Sequence, residues 1–378
     1  TEYKPILGVQ WHPETFFRHG EMTSMHALFE WLVHEGALYH RSRKLHESTV
    51  TLDSHCDTPM FFPDSQDDVN HMFTTRTDRV LVDLPKMTDG RLDASIMVAY
   101  IPQGERSAQG YREAFTLAQK KLDQIEALTR AYPHLLGLAS TPDDLLRFKA
   151  QGIKAIMRGI ENGYAIGRDL SLLSHFRQMG VVYMTLCHNG DNDICDSARG
   201  QAEHGGLSAF GQEVVREMNA LGMMIDMSHA AESSFYDALA LSQAPIVCRH
   251  SSSRALCSHP RNLTDEQRKA LAAQGGVAQV TLYHGFLRHE GEATVLDALD
   301  HLHHMVQVMG PEHVGIGTDF DGDGGVRGLK DASELIGFTR QLLRRRYSES
   351  DLQGIWGGNF LRVMRQVQSS ATSHLGLP

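Results

Sequence analysis

The chain has 378 residues, 41% of them hydrophobic, and a formal net charge of −10 at pH 7. That apolar content excludes a disordered chain, and the negative balance excludes nucleic acid as a partner for a broadly basic surface. No apolar run approaches the ~20 residues of a bilayer-spanning helix, so no membrane partner is expected.

Residues 1–40 read as an extension of their own. A short strand in KPILGVQWHPE leads to an amphipathic helix, SMHALFEWLVHEGAL, with Leu28, Trp31, Leu32 and Leu38 on one side. The basic, polar residues from Arg41 to Ser48 read as a linker, which places the main domain at 49–378. From there a strand–helix rhythm sets in. Strands are expected at 49–53, 93–99, 153–158, 181–187, 222–227, 245–249, 276–282 and 313–318. All are near-continuous apolar runs, as in a parallel sheet covered on both faces. Helical patterns lie between them, opening at Thr141, Ser208 and Thr264 and closing on Gly152, Gly180 and Gly222. This alternation predicts an α/β fold, a (β/α)8 TIM barrel with a short N-terminal strand–helix extension. A doubly wound open sheet is the alternative, but it does not gather so many strand ends at one point. The tail, SESDLQGIWGGNFLRVMRQV, is expected to add helices outside the barrel.

Polar residues punctuate the strand ends: His55 and Asp57 in TLDSHCD, Glu161 in GIENG, His229 in IDMSH, His250 in IVCRH and Asp319 in GIGTDFDG. A parallel barrel collects these ends at one mouth, so residues distant in sequence meet there. Alternate residues of an extended chain share a face, so His55 and Asp57 can ligate one ion. The same alternation turns Cys56, and Arg249 before His250, away from the metal. Glu161 has two carboxylate oxygens and can bridge two cations, while neutral imidazoles at His229 and His250 suit zinc. Asp319 faces the same mouth and can move protons between a metal-bound water and a leaving amine. The run DFDGDGG imitates a calcium loop, but its twelfth position is Lys330 where an EF-hand uses a bidentate Glu. His188, after YMTLC, and Arg261, in SHPRNLT, are the remaining polar candidates, and an Arg can grip a carboxylate with two prongs. Of the 22 histidines, His301, His303 and His304 lie in a helical pattern and read as structural. Five cysteines without CxxC spacing argue against a disulfide framework and for a reducing, cytoplasmic compartment.

In order and spacing, DSHCDT, GIENG, LCHNGDND, MIDMSHA, RHSSSRAL, HPRNLTDE, HVGIGTDFDG and WGGNFLRV resemble the renal (membrane) dipeptidase family of zinc metallopeptidases, from about residue 49 to 365. The resemblance implies two Zn²⁺ ions in a (β/α)8 barrel. His55 and Asp57 would hold one, His229 and His250 the other, and Glu161 would bridge them. His188 would touch the substrate near the scissile carbonyl, Arg261 would bind the dipeptide carboxylate, and Asp319 would act as proton shuttle. The expected activity is hydrolysis of dipeptides through a binuclear centre and a bridging hydroxide, with a C-terminal D-residue among the substrates to be tested. A homodimer is expected as well. The alternatives are an amidohydrolase acting on another small amide or lactam, and an inactive metal-binding scaffold. A second resemblance covers only residues 1–40. GVQWHPE is similar to the end of class I glutamine amidotransferase and γ-glutamyl hydrolase domains, with His12 and Glu14 at the positions of two triad members. The family's Cys nucleophile has no counterpart here, so this segment is expected to be an inert remnant.

Overall fold

The computed structural model describes residues 24–372. Within them nine strands form: β1 (Leu52–Cys56), β2 (Ala94–Tyr100), β3 (Leu136–Leu138), β4 (Lys154–Glu161), β5 (Val181–Thr185), β6 (Met224–Asp226), β7 (Val247–Cys248), β8 (Val277–Val280) and β9 (Val314–Ile316). Eight of them follow one another as β1-β2-β4-β5-β6-β7-β8-β9, every pair parallel, with helices between. The predicted barrel is therefore the fold. β3, absent from the sequence reading, pairs along residues 154–156 of β4, while β5 pairs along 158–161. Three residues are too short a run to give a periodic signal.

The ring closes between its first and last strands. Asp57 N donates to Phe320 O at 2.8 Å, and Asp319 N to His55 O at 3.2 Å. Beneath these, the buried Asp53 carboxylate accepts from Thr318 N (2.9 Å) and Thr318 Oγ1 (2.6 Å). β1 begins three residues later than the expected start at residue 49. Thr51, just before it, is held outside the ladder by Asp93 Oδ2 (3.0 Å) and Arg91 O (2.8 Å). β1 also runs three residues past its expected end at residue 53, so His55 lies inside it rather than after it.

The anticipated caps are present. Thr141, Ser208 and Thr264 each accept from a backbone N–H of the first turn they precede. Gly152 and Gly222 end their helices in the left-handed conformation that glycine adopts without steric cost. The last helix (Asn359–Ser369) corrects one expectation. Its Phe360, Leu361, Val363, Met364 and Val367 pack in one cluster with Leu52, Ala94, Met224 and Val277, the first residues of their strands. It plugs the N-terminal end of the barrel instead of lying outside it.

The stretch 41–48 is not a linker. It is the C-terminal part of one continuous helix, Ser24–Ser48. Leu38, Ser42, Leu45 and His46 are buried, whereas Trp31 and Leu32 are 37% and 44% exposed, so only part of the expected apolar side docks. Burial pushes the His46 pKa down to about 4, leaving a neutral ring. That ring spans Arg91 O (Nδ1, 3.2 Å) and Thr339 Oγ1 (Nε2, 2.6 Å), and Thr339 Oγ1 accepts in turn from Trp356 Nε1 at 2.8 Å. The Trp356 ring packs against His46 with 4.9 Å between centroids. Trp356→Ala is expected to destabilise the fold by about 3–5 kcal/mol, and Trp356→Phe, which loses mainly the hydrogen bond, by about 1 kcal/mol. Denaturant unfolding checks both, and equal losses for the two variants would refute the division.

Candidate metal centre

The last residues of β1 and β4 and the first residues beyond β6, β7 and β9 meet at the barrel mouth. His55, Asp57, Glu161, His229, His250 and Asp319 are all buried there. His55 Nε2 lies 3.0 Å from Asp57 Oδ2, 3.3 Å from Asp319 Oδ1 and 3.7 Å from Glu161 Oε2. The other carboxylate oxygen, Glu161 Oε1, is 3.0 Å from His229 Nε2 and 3.0 Å from His250 Nε2. Three overlapping groups of potential ligands result, each with atoms within 4.8 Å of one another: His55/Asp57/Glu161, Glu161/His229/His250 and His55/His250/Asp319.

The backbone is bent to achieve this. His229 (φ 71°) and Asp319 (φ 63°) occupy the left-handed region, as does Asn162 (φ 86°) directly after Glu161. Such conformations cost about 1–3 kcal/mol each and persist where surrounding contacts fix them. Asn162 is fixed by Ile101 O (3.0 Å), Tyr164 N (3.1 Å) and Asn192 Nδ2 (3.1 Å). His229 O accepts from Ala198 N at 2.7 Å. Opposite them Gly322 packs so tightly that a Cβ there would stand 2.2 Å from Asp57 Oδ2.

Crowding sets the charge states. Burial, reinforced by Arg261 and neighbouring imidazoles, holds the His229 and His250 pKa values well below the usual histidine range. Both rings are thus neutral, the form that ligates metals. Burial pushes the Glu161 and Asp57 carboxyls up, with neighbouring carboxylates adding to it. For His55, burial acts downward but Asp57 and Glu161 outweigh it, and the ring is held well above the ordinary value.

These residues fit a divalent metal. His55 Nε2 and Asp57 Oδ1 are buried without a hydrogen-bond partner. Neutral imidazoles and carboxylates form the mixed N/O donor set that such cations take.

Above the cluster opens a cavity of about 350 Å³, lined by Asp57, Glu161, His229 and Asp319 together with His188 and Arg261, the two predicted substrate contacts. The His188 ring packs on His229 (4.1 Å) and Tyr100 (4.8 Å), and burial, with Arg261 beside it, pushes its pKa down to about 3. Arg261 lies 2.8 Å from His250 Nδ1, and its buried Nε has no partner.

Cys56 turns away as expected, its Sγ 3.2 Å from Ser95 Oγ. Arg249 does not. β7 stops at Cys248, so strand alternation no longer governs the next residue. The Arg249 side chain is fully buried, with Nε 2.6 Å from Asp226 Oδ2, Nη2 3.2 Å from Glu161 Oε1 and Nη1 touching His55 Nδ1. The sequence reading also missed Asn189, whose Oδ1 is 3.2 Å from His229 Nδ1, and the cavity residues Tyr100, Arg199, Tyr283 and Phe286. Adjacency to His188 was the one signal that pointed to Asn189; Tyr100 ends β2 and Phe286 lies in a short helix, and neither they nor Arg199 and Tyr283 carry a motif of their own.

A family model for membrane dipeptidases (peptidase family M19) matches residues 39–375. Dipeptidase 3 of Mus musculus is 35% identical over 335 residues, 86% of this chain and 66% of that protein, so the chain spans only about two thirds of this relative's length. Dipeptidase verJ of Clonostachys rogersoniana is 33% identical over 344 residues, 87% of each chain. The structure is similar to that of the probable dipeptidase PvdM from Pseudomonas aeruginosa, with a TM-score of 0.83 at 27% identity over 89% of this chain and 99% of that one. These matches lend no support to the amidotransferase resemblance, whose His12 and Glu14 lie outside the described residues. A family match over residues 39–375, a shared barrel and a converged cluster of His, Asp and Glu together place the chain in the membrane dipeptidase family, peptidase family M19.

Proposed function

We propose that the chain is a zinc-dependent dipeptidase working through two metal ions. The observation that carries this reading is the cavity itself, which has ligand groups at its floor and a buried guanidinium with an unpartnered Nε at its wall. Its volume, about 350 Å³, is near the lower end for small-molecule sites and favours a dipeptide over a longer chain.

His55, Asp57 and Glu161 would hold one zinc, and Glu161, His229 and His250 the other. When bound, the ions lower the pKa of water to yield a nucleophile near neutral pH and polarise the scissile carbonyl. The chain's own residues do the rest. Arg261 binds the free carboxylate through paired, charge-assisted hydrogen bonds, which fixes the peptide and leaves no room for a further residue. His188 is neutral above pH of about 3 and donates a hydrogen bond to the carbonyl oxygen as it gains charge. Asp319, at the floor and 3.3 Å from His55 Nε2, takes a proton from the attacking water and delivers it to the departing amine. Met60, Phe61, Tyr283 and Phe286 line the mouth and shed water when a substrate enters.

A panel of L,L- and L,D-dipeptides and N-acyl amino acids, run with zinc-loaded and chelated protein, tests the reading. Dipeptide turnover lost on chelation and restored by zinc is expected; exclusive turnover of N-acyl amino acids would favour the amidohydrolase alternative. Three substitutions divide the roles. Glu161→Gln is expected to abolish turnover and lower metal content by elemental analysis. Asp319→Ala is expected to lose about 10²–10⁴-fold in kcat while keeping its metal. Metal loss in Asp319→Ala would make that residue a ligand instead. Arg261→Ala is expected to cost about 10–100-fold in kcat/KM on dipeptides, as for loss of a charge-assisted bond. It should cost little on dipeptide amides, and equal losses on both would remove Arg261 from carboxylate binding.

A further inference from the structure

Arg249 carries the same sign of charge as any cation its neighbours would bind, yet it is buried among them. Its guanidinium connects three adjacent strand ends. Nε meets Asp226 Oδ2 at the end of β6 (2.6 Å), Nη2 meets Glu161 Oε1 at the end of β4 (3.2 Å) and Thr185 Oγ1 at the end of β5 (2.5 Å), and the plane sits over the Tyr183 ring at 4.6 Å. Asp226 is itself immobilised. It accepts from Arg249 N (3.1 Å), Ser228 N (3.1 Å), Ser228 Oγ (2.8 Å) and Thr185 Oγ1 (2.7 Å).

Two effects oppose one another. A guanidinium beside metal ligands repels the metal, but a carboxylate held 2.6 Å away cancels most of that field and leaves a compact dipole. The ion-pair contact of Nη2 with Glu161 Oε1 at 3.2 Å is not cancelled. Oε1 has three close neighbours, two candidate ligand imidazoles at 3.0 Å each and Arg249 at 3.2 Å. Only the guanidinium is independent of a metal, so it defines how the carboxylate is turned. With a cation on His55 Nε2, Nδ1 bears the proton and turns to Tyr183 Oη, 3.4 Å away. Nη1 and His55 Nδ1 are then two donors facing each other, so the guanidinium is held by its hydrogen bonds to Asp226 and Thr185 and by its ion pair with Glu161.

We propose that Arg249, clamped by Asp226, is the positioning residue that orients Glu161 so that one carboxylate serves both ligand groups. This rests on the reading that those groups hold metal ions. Groups that orient metal ligands in this way typically carry about 10–100-fold in metal affinity.

The test is zinc affinity and stoichiometry by chelator competition, which needs no substrate, together with the absorption spectrum of the cobalt-loaded protein. Removing both charges in Arg249→Met/Asp226→Asn avoids leaving a buried carboxylate unpaired. This variant is expected to bind at least one of two zinc equivalents about 10–100-fold more weakly. Arg249→Lys keeps the charge but lacks the planar fork. It is expected to weaken binding about threefold or more and to shift the cobalt bands, which a residue that merely filled space would leave in place. Affinities within twofold of the parent in both variants, or tighter binding in either, would overturn the role. If the double variant does not fold, the Arg249→Lys titration alone decides. A parent protein that takes up no zinc would sink the metal reading and this inference together, whereas a zinc-binding parent with indifferent variants sinks only the inference.

Discussion

A parallel barrel must join its first strand to its last, and in this chain the joint is polar. Asp53 reaches across the seam to Thr318 with both carboxylate oxygens, and Asp319 N and Asp57 N complete it through backbone bonds to His55 O and Phe320 O. Burial pushes the Asp53 carboxyl up to about 6, so desolvation opposes this clasp and the hydrogen bonds from Thr318 and His55 N work against that cost. Aliphatic pairing would also close a sheet, but it would not fix register to a single residue. Here register decides function, because a slip of one position turns every side chain to the other face. Asp53 precedes His55 by two residues and Thr318 directly precedes Asp319: Asp53 and Thr318 fix the pairing, and His55, Asp57 and Asp319 extend from it into the mouth.

The site so formed is unfavourable taken alone. Buried carboxylates at Asp57 and Glu161 are driven toward their neutral forms, His229 and His250 lose the capacity to carry a proton, and two of the participating residues sit in left-handed backbone conformations. The rest of the molecule over-determines the arrangement. Helix caps, the plug formed by the last helix and the turn anchored by Asn162 hold each strand end independently of the others. Divalent cations would reverse the balance, since they favour the ionised carboxylates and neutral imidazoles that crowding otherwise separates.

The strand ends were legible because polar residues after apolar runs are costly unless something uses them. His229, His250 and Glu161 each gave that signal, and each lies at the mouth. The positions that were misread share a cause: local pattern was overruled by tertiary contact. Arg249 was assigned to the outside by alternation, but β7 is two residues long and Asp226 draws the guanidinium inward. Arg41 to Ser48 looked like a solvated linker because its polar residues outnumber its apolar ones. Burial of Leu45 and the His46–Thr339–Trp356 chain nonetheless make it part of the core. The first strand started late because Thr51 is claimed by side-chain and backbone partners that no sequence period reveals.

Chain length at residue 161 also follows from the geometry. Asp57 emerges from a strand end pressed against Gly322, where even a methyl group would clash with its carboxylate, so a short side chain already reaches the His55 nitrogen at 3.0 Å. Glu161 ends β4, which lies next to β2 and β5 in the ring, and it must reach partners on two sides: His55 from β1, and His229 and His250 from beyond β6 and β7. An aspartate there would be shorter by one methylene, roughly 1.5 Å from bond lengths of the kind in a peptide chain. From the same backbone position that shortfall opens the 3.0 Å contacts to His229 and His250 and the 3.7 Å contact to His55 beyond bonding reach. One carboxylate can join the two ligand groups only with the longer stem, and the longer stem has an extra rotatable bond that must be held. Arg249, 3.2 Å from Oε1, stands beside that carboxylate together with the two imidazoles.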